Sequence, residues 1–219
     1  MKLISVSKLR DYHWCPSLAY LRHELKIYFP PTPQMLRGTN LHSFYGSIWD
    51  CAVALKNHAD ARLNLINLVD EYRGGDMSDQ ELLQLGRQRL DNLWKYFGTH
   101  IENGMKYQSE VSLRSKELGI SGRVDFIYKT PDGSFVGEVK TGKPSDFDQF
   151  QLNTYMAMHP EAKKGFIEYT ESFVKHDFSD KIHNQIMEIK KNFEEMKHTK
   201  PVRTAKCDYC DYQKYCFKV

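Results

Sequence analysis

The sequence predicts an α/β fold, in which a mixed sheet is flanked by helices and preceded by an N-terminal helical region. Two observations support this prediction. Apolar residues recur at helical spacing through most of residues 37–100, and between residues 107 and 140 the pattern changes to short runs rich in β-branched and aromatic residues. Another helical segment, two short apolar runs and a last helical segment follow, so helices and strands alternate in the second half.

The first half of the chain beyond the N-terminal segment predicts two long helices. One is predicted over residues 37–68, after the proline-rich connector at residues 30–33. A break is expected at glycines 74 and 75. Ser78 followed by Glu81 is a capping-box pattern and predicts the start of the next helix, which continues to about residue 97.

The second half predicts a three-stranded meander and then mixed elements. The three predicted strands are YQSEVSLRS, GISGRVDFIYK and SFVGEVK, separated by KELG and PDG turns. A helix capped by Ser145 or Asp146 is predicted through DFDQFQLNTYMAMH. Two more strands, KGFIEYT and SFVKHDF, and a long helix over residues 179–198 complete the pattern.

Length and composition limit the class of protein. A chain of 219 residues is long enough for one domain. The pattern divides it into an N-terminal segment (1–36), a helical region (37–100), a core (105–198) and a cysteine-rich tail (199–219). The net charge of +3 permits a polyanionic partner without requiring one. No apolar run approaches the roughly 18 residues of a membrane span, and no secretion signal is present, so we expect a cytoplasmic protein without membrane contact.

An acid and a lysine share one face of a predicted strand. Glu138 and Lys140 are two residues apart, and strand side chains alternate between faces. If Pro131 lies opposite Ser134 in the preceding hairpin, Asp125 lies across from Lys140 and diagonal to Glu138. A shift by one residue would turn Asp125 to the other face, unless a bulge at the turn restores it.

Two carboxylates held close in an apolar sheet predict a bound divalent cation. Leaving them bare would cost several kcal/mol, and hard oxygen ligands favour Mg²⁺ or Mn²⁺. A surface ion pair between one of these acids and Lys140 explains the same spacing, and the spacing leaves both interpretations open.

The segment GRVDFIYKTPDGSFVGEVKTG, followed by QLNTY on the next helix, resembles the PD-(D/E)xK restriction-endonuclease-like core, and specifically the RecB-like nucleases. The resemblance implies that Asp125 and Glu138 bind metal and that Lys140 positions water and stabilises charge on the phosphate. It also implies that Gln151 and Tyr155, one turn apart on a helix, contact this site. Val124 stands where the signature has proline.

The same resemblance implies further metal ligands. RecB-like nucleases carry a helical histidine upstream of the sheet, and RGTNLH, ending in His42, matches that pattern. By the same resemblance the backbone carbonyl of Val139 completes the metal set. An acid often stands on the first strand of these enzymes, but a solvated strand glutamate is the more common explanation for Glu110, so we leave it outside the core site.

Cysteines near both ends of the chain predict a second metal site. Cys207, Cys210 and Cys216 form a C-x2-C-x5-C pattern, and Cys15, at a helix break before a proline, can supply a fourth thiolate. Cys51 lies in an amphipathic helix and is better suited to packing. Spacing leaves tetrahedral zinc and an iron–sulfur cluster open.

One cysteine near the N-terminus and three near the C-terminus, around a RecB-like core, resemble the CRISPR-associated RecB-like iron–sulfur exonucleases. The resemblance implies a C-terminal iron–sulfur clasp holding a [4Fe–4S] cluster, with [2Fe–2S] in some members. It implies exonuclease activity on single-stranded or overhanging DNA, in CRISPR adaptation and antiviral defence, with CRISPR integrase proteins as partners. A phage or repair exonuclease outside CRISPR and a non-catalytic DNA-end-binding subunit of an integration complex are the alternatives.

Overall fold

The computed structural model describes residues 3–73, 75–131, 133–170, 172–195 and 203–216. These residues form helices and strands in the following order: β1 Ile4–Ser5, α1 Val6–Trp14, α2 Pro16–Ala19, a π-helical turn Tyr20–Glu24, α3 Pro33–Leu55, α4 His58–Glu71, α5 Asp79–Glu102, β2 Lys106–Ser115, β3 Ile120–Thr130, β4 Gly133–Lys140, α6 Asp146–Met158, β5 Lys164–Tyr169, β6 Phe173–Asp177, α7 Asp180–Glu194, a 3-10 turn Ala205–Tyr209 and α8 Gln213–Cys216. The mixed α/β architecture agrees with the predicted fold class. Within these residues no helix combines the length and apolar character of a membrane span.

Contacts divide the chain into two compact units. One comprises the segments Met1–Pro30, Ser112–Gly122 and Ser179–Val219, and the other comprises Pro31–Val111 and Arg123–Phe178. The prediction of one domain over the whole chain stays a prediction.

The first unit contains the N-terminal helices, α7 and the tail. Ser5 caps α1 by accepting a hydrogen bond from the Lys8 N–H, and the chain turns extended at Cys15 before α2 begins at Pro16, as predicted. Two residues, Ile4 and Ser5, form a parallel strand with Ile120 and Ser121. A strand this short carries no periodicity, so the sequence pattern cannot indicate it.

The second unit contains a sheet with the order β3, β4, β5, β6, and β2 also pairs with β3. The β3–β4 and β5–β6 pairs are antiparallel, whereas β4 and β5 are parallel. Helices α3, α4 and α5 share one hydrophobic core with the strands, centred on the buried aromatic rings of Trp49, Phe97, Phe126 and Tyr128. Packing in this core holds α3, and with it His42, in place against the strands.

The prediction of one helix over residues 37–68 is wrong. Lys56 adopts a left-handed conformation with φ of +54° and ends α3, and Asn57 then caps α4 through its side chain, which accepts from the Asp60 N–H. A capping asparagine after a left-handed residue is a local stop signal that outweighs continuous helical periodicity. The last predicted helix begins as expected after Ser179 and runs to Glu194, and residues 196–198 lie outside the described residues.

The predicted register of the β3–β4 hairpin is also wrong. Thr130, rather than Pro131, faces the first residue of β4, which is Gly133, and the pairing ends at Phe126 opposite Gly137. Gly133 has a φ of +130°, a conformation that favours glycine, and so the turn closes one residue earlier. The predicted Asp132 of this turn lies outside the described residues.

The corrected register differs from the predicted one by an even number of residues, so every side chain keeps its face. The predicted register places Asp125 opposite Lys140. In the observed register, Asp125 and Glu138 are instead the positions that follow the Phe126–Gly137 pair. Gly137 is required at that pair, because a Cβ there would lie 1.8 Å from the ring of Phe126. The sheet therefore brings the two acids to adjacent positions on neighbouring strands.

Candidate functional site

Three polar side chains from three elements of the second unit converge. His42 comes from α3, Glu110 from β2 and Asp125 from β3, and one donor atom of each lies within 4.8 Å of the other two. The Nε2 atom of His42 is 3.0 Å from Oδ2 of Asp125, which also accepts a 2.7 Å hydrogen bond from the Val139 N–H. Two carboxylates and an imidazole in this arrangement are a donor set that can hold Mg²⁺ or Mn²⁺.

Glu110 reaches this cluster through an uncommon backbone conformation. Its φ is +52°, in the left-handed region, although it lies within β2. Such a residue interrupts the regular alternation of side chains along a strand, and it persists only when surrounding contacts hold it. The sequence pattern predicts a solvated Glu110 outside the site, whereas the structure brings its carboxylate to His42 and Asp125.

A second group of side chains surrounds Lys140. The Nζ atom of Lys140 donates to Oε2 of Glu138 and to Oε1 of Gln151, each at 2.9 Å. Gln151 donates from Nε2 to the same Glu138 oxygen at 2.9 Å and approaches the Tyr155 hydroxyl at 3.4 Å. The Tyr155 hydroxyl donates to the Arg123 carbonyl at 2.8 Å. Gln151 on α6 thus holds the lysine that ends β4, and Tyr155, one turn later, contacts Gln151.

Glu138 is buried, with 1% of its surface exposed, and its Oε1 atom has no hydrogen-bond partner among the described residues. Burial, and after it the charge of Asp125, raises the pKa of Glu138 to about 8, although Lys140 opposes this shift. An incompletely paired carboxylate beside a second carboxylate is a site that a cation would stabilise.

The hydrogen bond to Asp125 raises the pKa of His42, and burial opposes this effect only in part. A proton and a metal ion compete for the same imidazole nitrogen, and the raised pKa extends this competition to higher pH. Because the proton competes with the metal ion, apparent metal affinity should increase with pH.

The cluster of His42, Glu110 and Asp125 lines a cleft of about 330 Å³, together with Arg123, Val139 and other residues of α3, β2 and β3. Trp49 forms part of the wall and stacks on Tyr107, with ring centroids 5.3 Å apart and planes 8° apart. Trp49 is fully buried, so it supports the cleft from within, and the polar groups that the cleft presents include the two carboxylates, the imidazole and Arg123.

A buried ion pair lies behind this wall. The indole Nε1 of Trp49 donates to Oε2 of Glu168 at 3.0 Å, and Glu168 pairs with Arg89, both residues being 1% exposed. Since the pair joins α5 to β5 and holds Trp49 on α3, it fixes the helix that carries His42. A buried ion pair of this kind contributes little to the free energy of unfolding, and its main effect is to fix the positions of the helices and strand that it joins.

In the first unit, the four predicted cluster cysteines line one small cavity. Cys15, Cys207, Cys210 and Cys216 surround it together with Trp14 and Ser17. Burial raises the pKa of the Cys210 and Cys216 thiols, and the neighbouring thiols raise it further. Four thiols around one cavity form a donor set that fits either zinc or an iron–sulfur cluster.

A polar network anchors the tail beside these cysteines. The Tyr212 hydroxyl donates to the Ile27 carbonyl at 2.9 Å and accepts from Nε of Arg22 at 3.1 Å. Arg22 and His23 both contact the buried carboxylate of Asp11 at 2.9 Å. The tail is thereby attached to the N-terminal helices by contacts that do not involve a thiol.

The sequence profile of the PD-(D/E)XK nuclease superfamily matches residues 3–217, almost the whole chain. This chain belongs to the PD-(D/E)XK nuclease superfamily. No curated protein matches it. Twenty chains of solved structures match, and one of them, titled "Crystal structure of SSO0001", is 17% identical, with a TM-score of 0.40 over 96% of this chain and 93% of that chain.

Members of the PD-(D/E)XK superfamily are typically metal-dependent nucleases, and the cluster of His42, Glu110 and Asp125 is a possible metal site in this member. The predicted residues of the site form two neighbouring groups, joined by the hydrogen bond from Val139 to Asp125. The first contains His42 and Asp125, and the second contains Glu138, Lys140, Gln151 and Tyr155. The catalytic and metal-binding roles of these residues, and of the Val139 carbonyl, stay predictions.

A first prediction concerns the stability of this PD-(D/E)XK chain without added metal. Because the pKa of Glu138 is raised from the ordinary 4.5 to about 8, the folded chain keeps a proton that the unfolded chain releases. The free energy of unfolding should therefore fall as the pH rises from about 4.5 to about 8. In EDTA, Glu138→Gln should weaken this dependence and stabilise the protein at pH 8 by on the order of 1 to 3 kcal/mol.

Thermal or denaturant unfolding at pH 5 and pH 8 measures this difference. The matched control is Glu117→Gln, which removes an exposed carboxylate in the turn between β2 and β3 and should follow the wild type at both pH values. Parallel pH dependence in wild type and Glu138→Gln would show that Glu138 is ionised in the folded chain.

Proposed function

We propose that this protein is a divalent-metal-dependent DNA exonuclease that acts on single-stranded or overhanging ends. The observation that carries the proposal is the meeting of His42, Glu110 and Asp125 beside the lysine that Gln151 and Glu138 hold, in a chain of the PD-(D/E)XK superfamily. Nucleases of this kind need acids for a metal ion and a cation for the phosphate, and both lie here in one unit.

The proposed metal ligands are His42, Glu110, Asp125, Glu138 and the Val139 carbonyl. Mg²⁺ or Mn²⁺ bound to this set would act as a Lewis acid on the phosphodiester and lower the pKa of water. The Oε1 atom of Glu138, which has no hydrogen-bond partner in the described part of the chain, and the hard oxygen donors of the set support this assignment.

The proposed role of Lys140 is to offset the negative charge that develops on the phosphate during attack by water. Gln151 and Glu138 hold its Nζ atom at 2.9 Å each, so little reorganisation is needed when that charge appears. Tyr155 supports Gln151 and is itself tied to the backbone of β3. In hydrolysis a new bond forms from water oxygen to phosphorus, one phosphorus–oxygen ester bond breaks, and the leaving oxygen gains a proton.

We also propose that Cys15, Cys207, Cys210 and Cys216 hold a [4Fe–4S] cluster, with [2Fe–2S] or zinc as the alternatives. Their placement around one cavity supports a four-thiolate site, and the resemblance to CRISPR-associated RecB-like nucleases favours iron. The same resemblance supports a role in CRISPR adaptation, trimming fragments before CRISPR integrase proteins insert them. A neighbouring CRISPR array would favour this role over a phage or repair exonuclease.

The exonuclease proposal predicts dependence on free DNA ends. With Mn²⁺, the protein should shorten a linear 5′-labelled single strand and leave a closed single-stranded circle intact over the same period. EDTA should stop the reaction, because without the divalent ion nothing activates the attacking water or polarises the phosphodiester. Gel electrophoresis of both substrates, with Asp125→Asn as the control for contaminating nucleases, measures the outcome. Circles cut as fast as linear strands would identify an endonuclease instead.

A further inference from the structure

Arg123 is a cation of the cleft whose role the family signature leaves unassigned. It lies two residues before Asp125 on β3, so both side chains belong to the same face of the strand. Its side chain is 69% exposed, and its Nε atom lies 2.6 Å from Oε2 of Glu110. Among the described residues that line this cleft, Arg123 is the one lysine or arginine.

Lys140 and Arg123 differ in how solvent reaches them. The Lys140 side chain is 19% exposed, and its Nζ atom already donates to Glu138 and Gln151. Arg123 contacts Glu110 through Nε, which is one of the five N–H donors of a guanidinium group. A guanidinium group can contact two phosphate oxygens at once, which an ammonium group cannot do in a fixed geometry.

We infer that Arg123 binds a backbone phosphate of the DNA beside the site of cleavage and competes with the divalent cation for the carboxylate of Glu110. This inference rests on the proposed nuclease function and adds a substrate-binding residue to it. Glu110 can pair with Arg123 or bind the divalent cation. Each of these positive charges weakens the attraction of Glu110 for the other. Arg123 leaves Glu110 more readily once the DNA phosphate offers it a second anion.

The competition gives Arg123 two effects of opposite direction. Replacing it with alanine should strengthen Mn²⁺ binding several-fold, because Glu110 loses its competing cation. The same change should weaken binding of single-stranded DNA by roughly tenfold and reduce the slope of log affinity against log salt by about 0.7, the value for one phosphate contact on a single strand. A purely structural role for Arg123 would weaken both kinds of binding together.

The experiment uses the full-length protein. Titration calorimetry with Mn²⁺ compares wild type with Arg123→Ala, and fluorescence anisotropy with a labelled single-stranded oligonucleotide follows DNA binding over a salt series. The DNA measurements are made in a Lys140→Ala background, so that cleavage does not consume the probe. Arg62→Ala is the matched control: it removes an equally charged, half-exposed side chain from α4, outside the cleft. Arg123→Lys should keep the salt slope and bind DNA less tightly than wild type.

An unchanged salt slope in Arg123→Ala, or Mn²⁺ binding that weakens together with DNA binding, would overturn the inference. Failure of the proposed function gives a different result, in which wild type cleaves no DNA with Mn²⁺. Such a protein could still show the altered salt slope, which would support phosphate binding by Arg123 on a non-catalytic DNA-binding protein. Tighter Mn²⁺ binding together with a lower slope supports the inference as stated.

Discussion

Lys140→Ala should reduce cleavage of single-stranded DNA in Mn²⁺ by at least 10²-fold to 10³-fold, the usual effect of removing one group that stabilises charge in a transition state. The Nζ atom of Lys140 donates hydrogen bonds to both Glu138 and Gln151, which fix its position. Alanine at this position removes that fixed positive charge. Mn²⁺ binding should persist, because His42, Glu110 and Asp125 remain. Rates on labelled DNA and calorimetry with Mn²⁺ separate the two effects.

The matched control for this change is Lys143→Ala. Lys143 is exposed and follows β4 by three residues, so its removal changes the net charge equally and leaves the lysine network intact. Its cleavage rate should equal that of the wild type. Equal, measurable rates for Lys140→Ala and wild type would remove the catalytic role proposed for Lys140. Absence of cleavage by both would eliminate the nuclease assignment and favour the DNA-end-binding subunit, which needs affinity for ends and no catalysis.

Cys15→Ser should remove most of the bound iron and sulfide and lower the free energy of unfolding by about 5 kcal/mol, if the estimate for a long disulfide loop applies to a cluster. Cys15 and Cys207 are 192 positions apart (207 minus 15), and closing so long a loop restricts the unfolded chain strongly. Anaerobic purification, the visible absorption spectrum, iron and sulfide analysis and denaturant unfolding measure both effects.

Cys51→Ser provides the control for the cysteine prediction. Cys51 lies on α3, where its Sγ atom accepts a 3.3 Å hydrogen bond from Asn64, and it does not line the cavity of the four cysteines. Its replacement should leave the iron content unchanged. One zinc ion per wild-type chain and no iron would assign the site to zinc, and the absence of both metals would refute the four-thiolate centre.

The network that anchors the tail predicts how the chain behaves if the proposed cluster is removed. Tyr212 keeps its hydrogen bonds to Ile27 and Arg22 in Cys15→Ser, since neither involves sulfur. We therefore expect Cys15→Ser to unfold more easily than the wild type. At low temperature, where it is still folded, its N-terminal helices should keep their contacts with Tyr212.

Several features of the site were predictable because they depend on neighbouring residues. The alternation that places Glu138 and Lys140 on one face, and the helical spacing of Gln151 and Tyr155, are properties of a few consecutive positions. The hairpin prediction was wrong by two residues, yet Asp125 kept its face, because an even shift preserves alternation. The helix boundary at Lys56 and Asn57 was missed because apolar periodicity continues across it.

Glu110 shows the limit of such predictions. Its carboxylate joins His42 and Asp125 because the backbone at that position is left-handed, and no residue type near it indicates this conformation. Likewise, the contact between Arg123 and Glu110 depends on how β2 lies against β3. Strand and helix content, the acid–lysine pattern and the cysteine spacing are local and could be derived from the order of residues. The grouping of His42, Glu110 and Asp125 and its neighbouring arginine required the folded chain, because packing of α3, β2 and β3 in one core brings together side chains that are distant in sequence.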